Sequence, residues 1–279
     1  MYIERNKLPK AVVPYPFEKH SRGFQRTTLV DHTNSLVHQA TGICELQPGG
    51  TVDYCLHANE EAIYVFEGEL EMMRAREAFK LSAEDYALVP YGVPHAYRNR
   101  GDKVVRWFEA QAPQPKPPGR WQDTFFFNVK WPKEAVKPDF DDPRTRLLGH
   151  FREEGGMSPT GSGGRGPNVY MFITADFGSH HMIVHRGVFA PGGNLGLHDH
   201  PVEESFYALS GELDLEIEGT LYTLRPGDVA WATVGAAHSW HNKGKIPFRW
   251  LETITPQFWT PTSVRTYSHW EKLRALPKG

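Results

Sequence analysis

The sequence predicts an all-β protein made of two tandem antiparallel barrels with few short helices. Three observations predict it: an internal repeat at a fixed offset, short runs of alternating apolar and charged residues, and turn punctuation from 26 Gly and 22 Pro in 279 residues. Apolar residues at 39% and charged residues at 23% suit a chain that builds a real core.

The repeat sets the architecture. Adding 143 to positions 48–113 gives 191–256 without a gap, and 21 of the 66 pairs are identical, where ordinary composition gives about four by chance. The matches include Pro48-Gly49-Gly50 with Pro191-Gly192-Gly193, His57 with His200, Glu60-Glu61 with Glu203-Glu204, and Gly68-Glu69-Leu70 with Gly211-Glu212-Leu213. Asp85, Gly92, His95, Asn99, Arg106-Trp107 and Glu109 meet Asp228, Gly235, His238, Asn242, Arg249-Trp250 and Glu252. An unbroken offset means equal loop lengths in both copies.

Taken in chain order, residues 1–125 form an N-terminal barrel with an N-terminal arm. The Pro- and aromatic-rich stretch 8–24 is too short for a core of its own and is expected to pack on a neighbouring barrel or subunit. Residues 126–166 are a linker, marked by Pro132, Pro138, Pro143 and the Gly-rich run 161–166; the aromatic run 124–129 is expected to add a strand to one barrel. Residues 167–279 form the C-terminal barrel. There Glu212 to Glu218 alternates charged and apolar residues, Gly219-Thr220 turns the chain, and Leu221 to Leu224 returns as the partner strand. Arg225-Pro226-Gly227-Asp228 punctuates the next turn, before a strand from Val229 to Val234. In the tail 269–276, Trp270, Leu273 and Leu276 share one helical face, which predicts a short capping helix.

A net charge of −2 and a pI near 6.7 give no basic footprint, so nucleic acid and anionic membranes are excluded as partners. No run approaches 18 apolar residues, and nothing is expected to span a bilayer. A small molecule is the expected partner. Only Cys44 and Cys55 are present, and the N-terminal stretch lacks an apolar signal segment, which reads as cytoplasmic.

The chemistry concentrates in the second copy. His198 and His200, at i and i+2, share a strand face, Glu204 joins them if the chain turns tightly after Pro201, and His238 comes from an adjacent strand. Three imidazoles and a carboxylate suit one divalent transition metal, with Fe, Mn, Ni, Co and Zn all compatible. The first copy aligns Cys55, His57, Glu61 and His95 at the same positions. A thiolate there would make a second candidate metal site favouring softer ions, but the preferred reading is a degenerate copy, with Cys55 a small buried residue and the barrel a scaffold. Phe206, Tyr207, Trp231 and Trp240 flank the ligands and are candidates for lining a pocket, against plain core residues. Either His185 or Arg186 should face that pocket, not both, because neighbours on a strand point oppositely. Glu109 and Glu252 recur in both copies and are read as structural, and Cys44 as a buried strand residue.

Gly192, His198, His200, Glu204 and Gly211 spell G-x5-H-x-H-x3-E-x6-G, and His238 lies in G-x7-G-x2-H-x3-N with Gly227, Gly235 and Asn242. These resemble the two signature motifs of the cupin superfamily in its duplicated, bicupin form. Thr233 stands where the second motif usually has Pro. The resemblance implies jelly-roll barrels, a metal in the C-terminal copy, and a homodimer or larger homo-oligomer. It implies an enzyme in which the metal binds substrate by oxygen and activates dioxygen or polarises a carbonyl. A dioxygenase-type oxidoreductase acting on an enol, phenol or β-diketone is the leading expectation. The alternatives are a metal-assisted hydrolase of the ureidoglycine aminohydrolase type, or a non-catalytic small-molecule-binding bicupin.

Overall fold

The computed structural model describes residues 1–119, 122–158 and 166–257, and the backbone of 265–266. The expected tail helix 269–276 lies outside the described residues. What is described is nearly all β, the helical pieces being 3-10 turns such as Arg5–Lys7, Tyr15–Phe17, His32–Asn34 and Pro143–Thr145. No helix among the described residues is long and apolar enough to cross a membrane.

The chain divides into two compact units, and the division does not follow chain order. One unit comprises residues 8–152 and 172–182, and the other 1–7, 153–171 and 183–279. The expected boundaries at 125 and 166 are therefore replaced by two exchanges of short segments, each fastened by named bonds.

In the first unit the sheet runs in the order Leu148–His150, Asp85–Val89, Glu60–Glu67, Val105–Ala112, Ala40–His57, His95–Arg98, Leu70–Arg74 and Glu77–Leu81. The long strand Ala40–His57 also pairs with Ser21–Val30 and Thr124–Phe126. Thr124 to Phe126 thus adds the strand expected of the aromatic run. The arm 8–24, expected on a neighbouring barrel or subunit, instead leads into Ser21–Val30 and packs on its own unit. Phe24 joins the core with Ile63, Leu70, Met72, Phe79 and Trp107, and Phe17 packs against it. Burying those rings is worth more locally than extending an arm elsewhere. Cys44 is buried in the same core, as expected. Residues 172–182 are tied to this unit by the buried Glu60 carboxylate, which accepts from Ser179 Oγ at 2.8 Å and from the backbone N–H groups of His180 and His181 at 2.7 and 3.0 Å.

In the second unit two sheets face each other. One is ordered Tyr2–Ile3, Val229–Ala232, Glu203–Ser210, Phe248–Thr255, Ile183–Phe189 and Asn168–Ile173; the other Thr220–Leu224, Leu213–Ile217, His238–His241, Asn194–Asp199 and Arg265–Thr266. Between them lie Phe189, Phe206, Leu215, Trp240, Phe248 and Trp250. The alternation in Leu213–Ile217 becomes alternating burial. Glu218 and Gly219 both have positive φ and form the tight two-residue turn whose twist suits a hairpin. The edge strand Tyr2–Ile3 pairs Tyr2 with Ala230, Tyr2 Oη donates to Asp228 Oδ2 at 2.8 Å, and the backbone N–H of Arg5 donates to Asp228 Oδ1 at 2.8 Å.

The offset of 143 holds in three dimensions. Glu61 faces Gln111 and Glu204 faces Ile254; Cys55 faces His95 and His198 faces His238. Even the matched glycines have a shared cause. Gly68 and Gly211 sit at φ +83° and +80°, and a Cβ there would lie 2.8 Å from the Val104 carbonyl oxygen and 2.5 Å from that of Pro247.

Candidate metal centre

In the second unit the candidate ligands come from both sheets. His198 ends the strand Asn194–Asp199, directly opposite His238 on the neighbouring strand. The chain then turns through His200, Pro201 and Val202 into Glu203–Ser210, which carries Glu204 on the facing sheet. The tight turn expected after Pro201 is what brings the carboxylate back over the imidazoles. The three rings converge, with His198 and His238 centroids 4.2 Å apart and His200 and His238 5.1 Å apart. The ligand-type nitrogens of His198, His200 and His238 all lie within 4.8 Å of one another. His200 Nε2 is 3.2 Å from Glu204 Oε1, and His238 Nε2 is 3.3 Å from Glu204 Oε2.

The protonation states leave lone pairs pointing inward. His198 Nδ1 donates to the Gly196 carbonyl at 2.7 Å and His238 Nδ1 to that of Ala236 at 3.0 Å, which fixes both rings with Nε2 free. Burial, together with the neighbouring rings, pushes His198 down to about 4 and His200 to about 3, and burial lowers His238 as well. At neutral pH the imidazoles are therefore uncharged. Glu204 Oε2 is buried without a hydrogen-bond partner. Uncharged nitrogens and a buried carboxylate oxygen without a hydrogen-bond partner, aimed at one point, are what a divalent cation satisfies, so the residues fit a metal.

A second carboxylate backs the first. Glu252 receives Trp250 Nε1 at 2.8 Å and lies 3.1 Å from His185 Nε2. Burial opposes its charge, but His185 and Trp250 hold it down to about 2. Burial and the negative Glu252 beside it raise Glu204 well above the usual carboxylate range. Of the pair His185 and Arg186, His185 faces the centre, while Arg186 pairs with Glu153 at 3.4 Å. Glu252 and its counterpart Glu109, read alike from the repeat, take different partners: His185 and Trp250 for the first, Arg26 for the second.

The flanking aromatics split by parity. Phe206 and Trp240 lie in the core with Ala208, Ala230 and Ala232, and Phe206 stands edge-on to Trp240 at 4.5 Å behind the His238 ring. Tyr207 and Trp231 alternate with those core residues along their strands and point to the other face of the sheet. They do not line the centre, which corrects the expectation for both.

In the first unit Cys55, His57, Glu61 and His95 also converge, all buried. His57, Glu61 and His95 bring their ligand atoms within 4.8 Å of one another. Here, however, the carboxylate is fully engaged. Glu61 Oε2 is 2.9 Å from His57 Nε2 and 3.5 Å from His95 Nε2, and Tyr97 Oη donates to Oε1 at 2.8 Å. His57 Nδ1 and His95 Nδ1 point at the carbonyls of Asn59 and Val93, at 2.9 and 3.0 Å. Cys55 Sγ lies 3.8 Å from His95 Nε2. Although burial opposes both shifts, the two histidines pull Glu61 well below the usual range, and Cys55 and Glu61 raise His95 well above its own. Tyr97 was not among the expected site residues; its signal is the aligned pair Tyr97 and Trp240, a phenol that here donates to the carboxylate against an indole that packs in the core.

A Cupin domain matches this chain twice, over residues 42–110 and 185–254, the two spans that carry the repeat and both clusters. The chain belongs to the cupin family, as a bicupin. Among solved structures it is similar to a putative glyoxylate-induced protein from Pseudomonas aeruginosa, with a TM-score of 0.68 and 17% identity over 95% of this chain and 90% of that one. It is also similar to oxalate decarboxylase from Bacillus subtilis, with a TM-score of 0.68 and 16% identity over 100% and 80% of the two chains. Protein Ylba from E. coli aligns with a TM-score of 0.64 and 14% identity over 93% and 92%. These likenesses concern the bicupin fold. A curated relative named polyketide synthase CurC, from Streptomyces cyaneus, is 33% identical over 97 residues, 34% of this chain. The bicupin spans 63% of the length of that relative.

Proposed function

We propose that this bicupin is a metal-dependent enzyme acting on a small molecule, with one divalent transition metal per chain held by His198, His200, Glu204 and His238. The observation that carries the reading is the buried, unpartnered Oε2 of Glu204 facing imidazoles whose Nδ1 protons are already spent on backbone carbonyls. When bound, such a metal supplies Lewis acidity and, if redox-active, a path for electrons to dioxygen. The chain's residues supply the rest. Carbonyls of Gly196 and Ala236 fix the ring tautomers, Glu252 on its His185 and Trp250 supports stands behind Glu204, and Phe206 and Trp240 keep water from the back of the His238 ring.

The reaction we favour is dioxygenase-type oxidation of an enol, phenol or β-diketone-like compound. Three imidazoles and one carboxylate are a mixed set suited to oxygen-binding substrates and to Fe, Mn, Ni or Co as well as Zn. The name of the Streptomyces relative points to polyketide synthesis, and polyketides carry enolisable dicarbonyls and phenols. We further read the protein as cytoplasmic and homo-oligomeric. Elemental analysis resolving Fe, Mn, Ni, Co and Zn, followed by oxygen-electrode assays of Fe(II)-loaded protein with acetylacetone and catechol, tests the reading. Oxygen uptake abolished by His238→Ala is expected. Metal bound without oxygen uptake, alongside hydrolytic release of an amine from acyclic ureides, would move the assignment to the aminohydrolase alternative.

A further inference from the structure

The first unit contains a cavity of about 750 Å³, within the size range of small-molecule sites, opening above its closed cluster. Phe17, Phe24 and Phe126 form apolar walls, with His20 stacked on Phe126 at 3.8 Å. The base is polar, with His57, Glu109, Gln111 and the buried Arg26.

Arg26 has no counterpart at the metal centre. Its guanidinium lies over Gly42, where a Cβ would come within 2.5 Å of the arginine Cζ. The repeat puts His185 at that position in the other unit, so the glycine makes room for the arginine. Arg26 Nε donates to Glu109 Oε2 at 2.6 Å, one terminal nitrogen to Thr28 Oγ1 at 3.1 Å, and the other to Gln111 Oε1 at 3.5 Å. These contacts use three of the five N–H bonds of a guanidinium, and each terminal nitrogen keeps one in reserve. Glu109 already neutralises the charge, so the spare donors suit a neutral oxygen acceptor better than a second carboxylate.

We infer that the N-terminal unit is a binding site for a planar aromatic carbonyl compound, its ring against the aromatic wall that Phe17 and Phe126 form by meeting edge to face, and its carbonyl oxygen on Arg26. The site operates without metal, because the Glu61 carboxylate beneath it is committed to Tyr97, His57 and His95. It is separate from the proposed reaction and holds whether or not that reaction is of the oxygenase type.

The test uses the full chain and 2-acetonaphthone as probe, with naphthalene and 2-naphthoate as comparisons, in calorimetric and ligand-observed NMR titrations. The ketone is expected to bind once per chain, tighter than either comparison. Arg26→Lys, which keeps the charge opposite Glu109 but loses the planar fork, should weaken the ketone at least tenfold and leave naphthalene unchanged. Thr28→Phe should fill the cavity and abolish both. His198→Ala should change neither, and in the wild-type chain the ketone should slow hydrogen exchange in residues 14–20 and 122–126. No binding of the ketone at millimolar concentration, tighter binding of 2-naphthoate, loss of binding in His198→Ala, or protection elsewhere than at 14–20 and 122–126 would each overturn the proposal.

Discussion

The two barrels share strand register residue for residue, yet treat the same carboxylate in opposite ways. Glu61 is capped by a phenol and two histidines, whereas Glu204 has Trp240 where the phenol would be and keeps an oxygen unpartnered. Behind each stands a second carboxylate with a different companion: Glu109 with Arg26 at 2.6 Å, Glu252 with His185 at 3.1 Å. A hydrogen-bonded, internally neutralised cluster is stable as it stands, while one with an orphaned acceptor among uncharged rings offers a cation a vacant lone pair. Duplication has thus yielded one closed and one open version of a single geometry, through substitutions at Cys55 against His198, Tyr97 against Trp240 and Gly42 against His185.

The strongest way to break this contrast is to count metals. Purified protein should carry one metal per chain, and His198→Ala or His238→Ala should remove it almost entirely, since loss of even an outer-shell partner costs about 10–100-fold in affinity. Cys55→Ala should leave the count unchanged. Two metals per chain, one of them lost in Cys55→Ala, would show that the first cluster is open as well.

Removing the arginine tests the closed side. Arg26→Ala strands Glu109 in the interior and should destabilise the first unit by about 3–5 kcal/mol in chemical unfolding, with Arg26→Ala/Glu109→Gln recovering most of it. A more constructive test opens the closed cluster. Cys55→His with Tyr97→Phe supplies the third imidazole and frees Glu61 Oε1, and should raise the metal count from one towards two in elemental analysis. Failure of the paired substitution to bind a second equivalent would show that more than the cap separates the copies.

The smallest expected effect concerns the edge strand. Burial and the bond to Asp228 raise Tyr2 above its ordinary value, so the stabilisation it provides is full below about pH 10 and is lost as the pH climbs beyond. Tyr2→Phe should cost about 1 kcal/mol at neutral pH and make second-unit stability less sensitive to alkali, as read by unfolding curves between pH 8 and 11.

Much of this was legible in the sequence because strands have a period of two and the repeat has no gap. Those facts set Glu204 against three histidines and place the hairpin within one residue of its observed turn, expected at Gly219-Thr220 and found at Glu218-Gly219. Parity also exposes the expectation that fails, since Tyr207 and Trp231 are an odd step from Glu204 and Ala232 and must face away. Arg26 was not readable: it lies on Ser21–Val30, outside the aligned window, and only the folded sheet brings it over Gly42. The arm is too short for a core of its own, and its length alone does not say where it docks: the partners of Phe24 and Phe17, Trp107 and Phe126, are supplied by distant segments of the same unit.

The exchange of segments orders events during synthesis. The pairing of Tyr2 with Asp228 joins residues 226 positions apart, so the strand Tyr2–Ile3 waits for the synthesis of a distant segment before it finds its partner. The first barrel, in turn, cannot satisfy Glu60 until Ser179 to His181 have emerged. Neither barrel can therefore be excised as one continuous stretch, and a tag placed on Met1 sits at the edge of the barrel that holds the candidate metal centre.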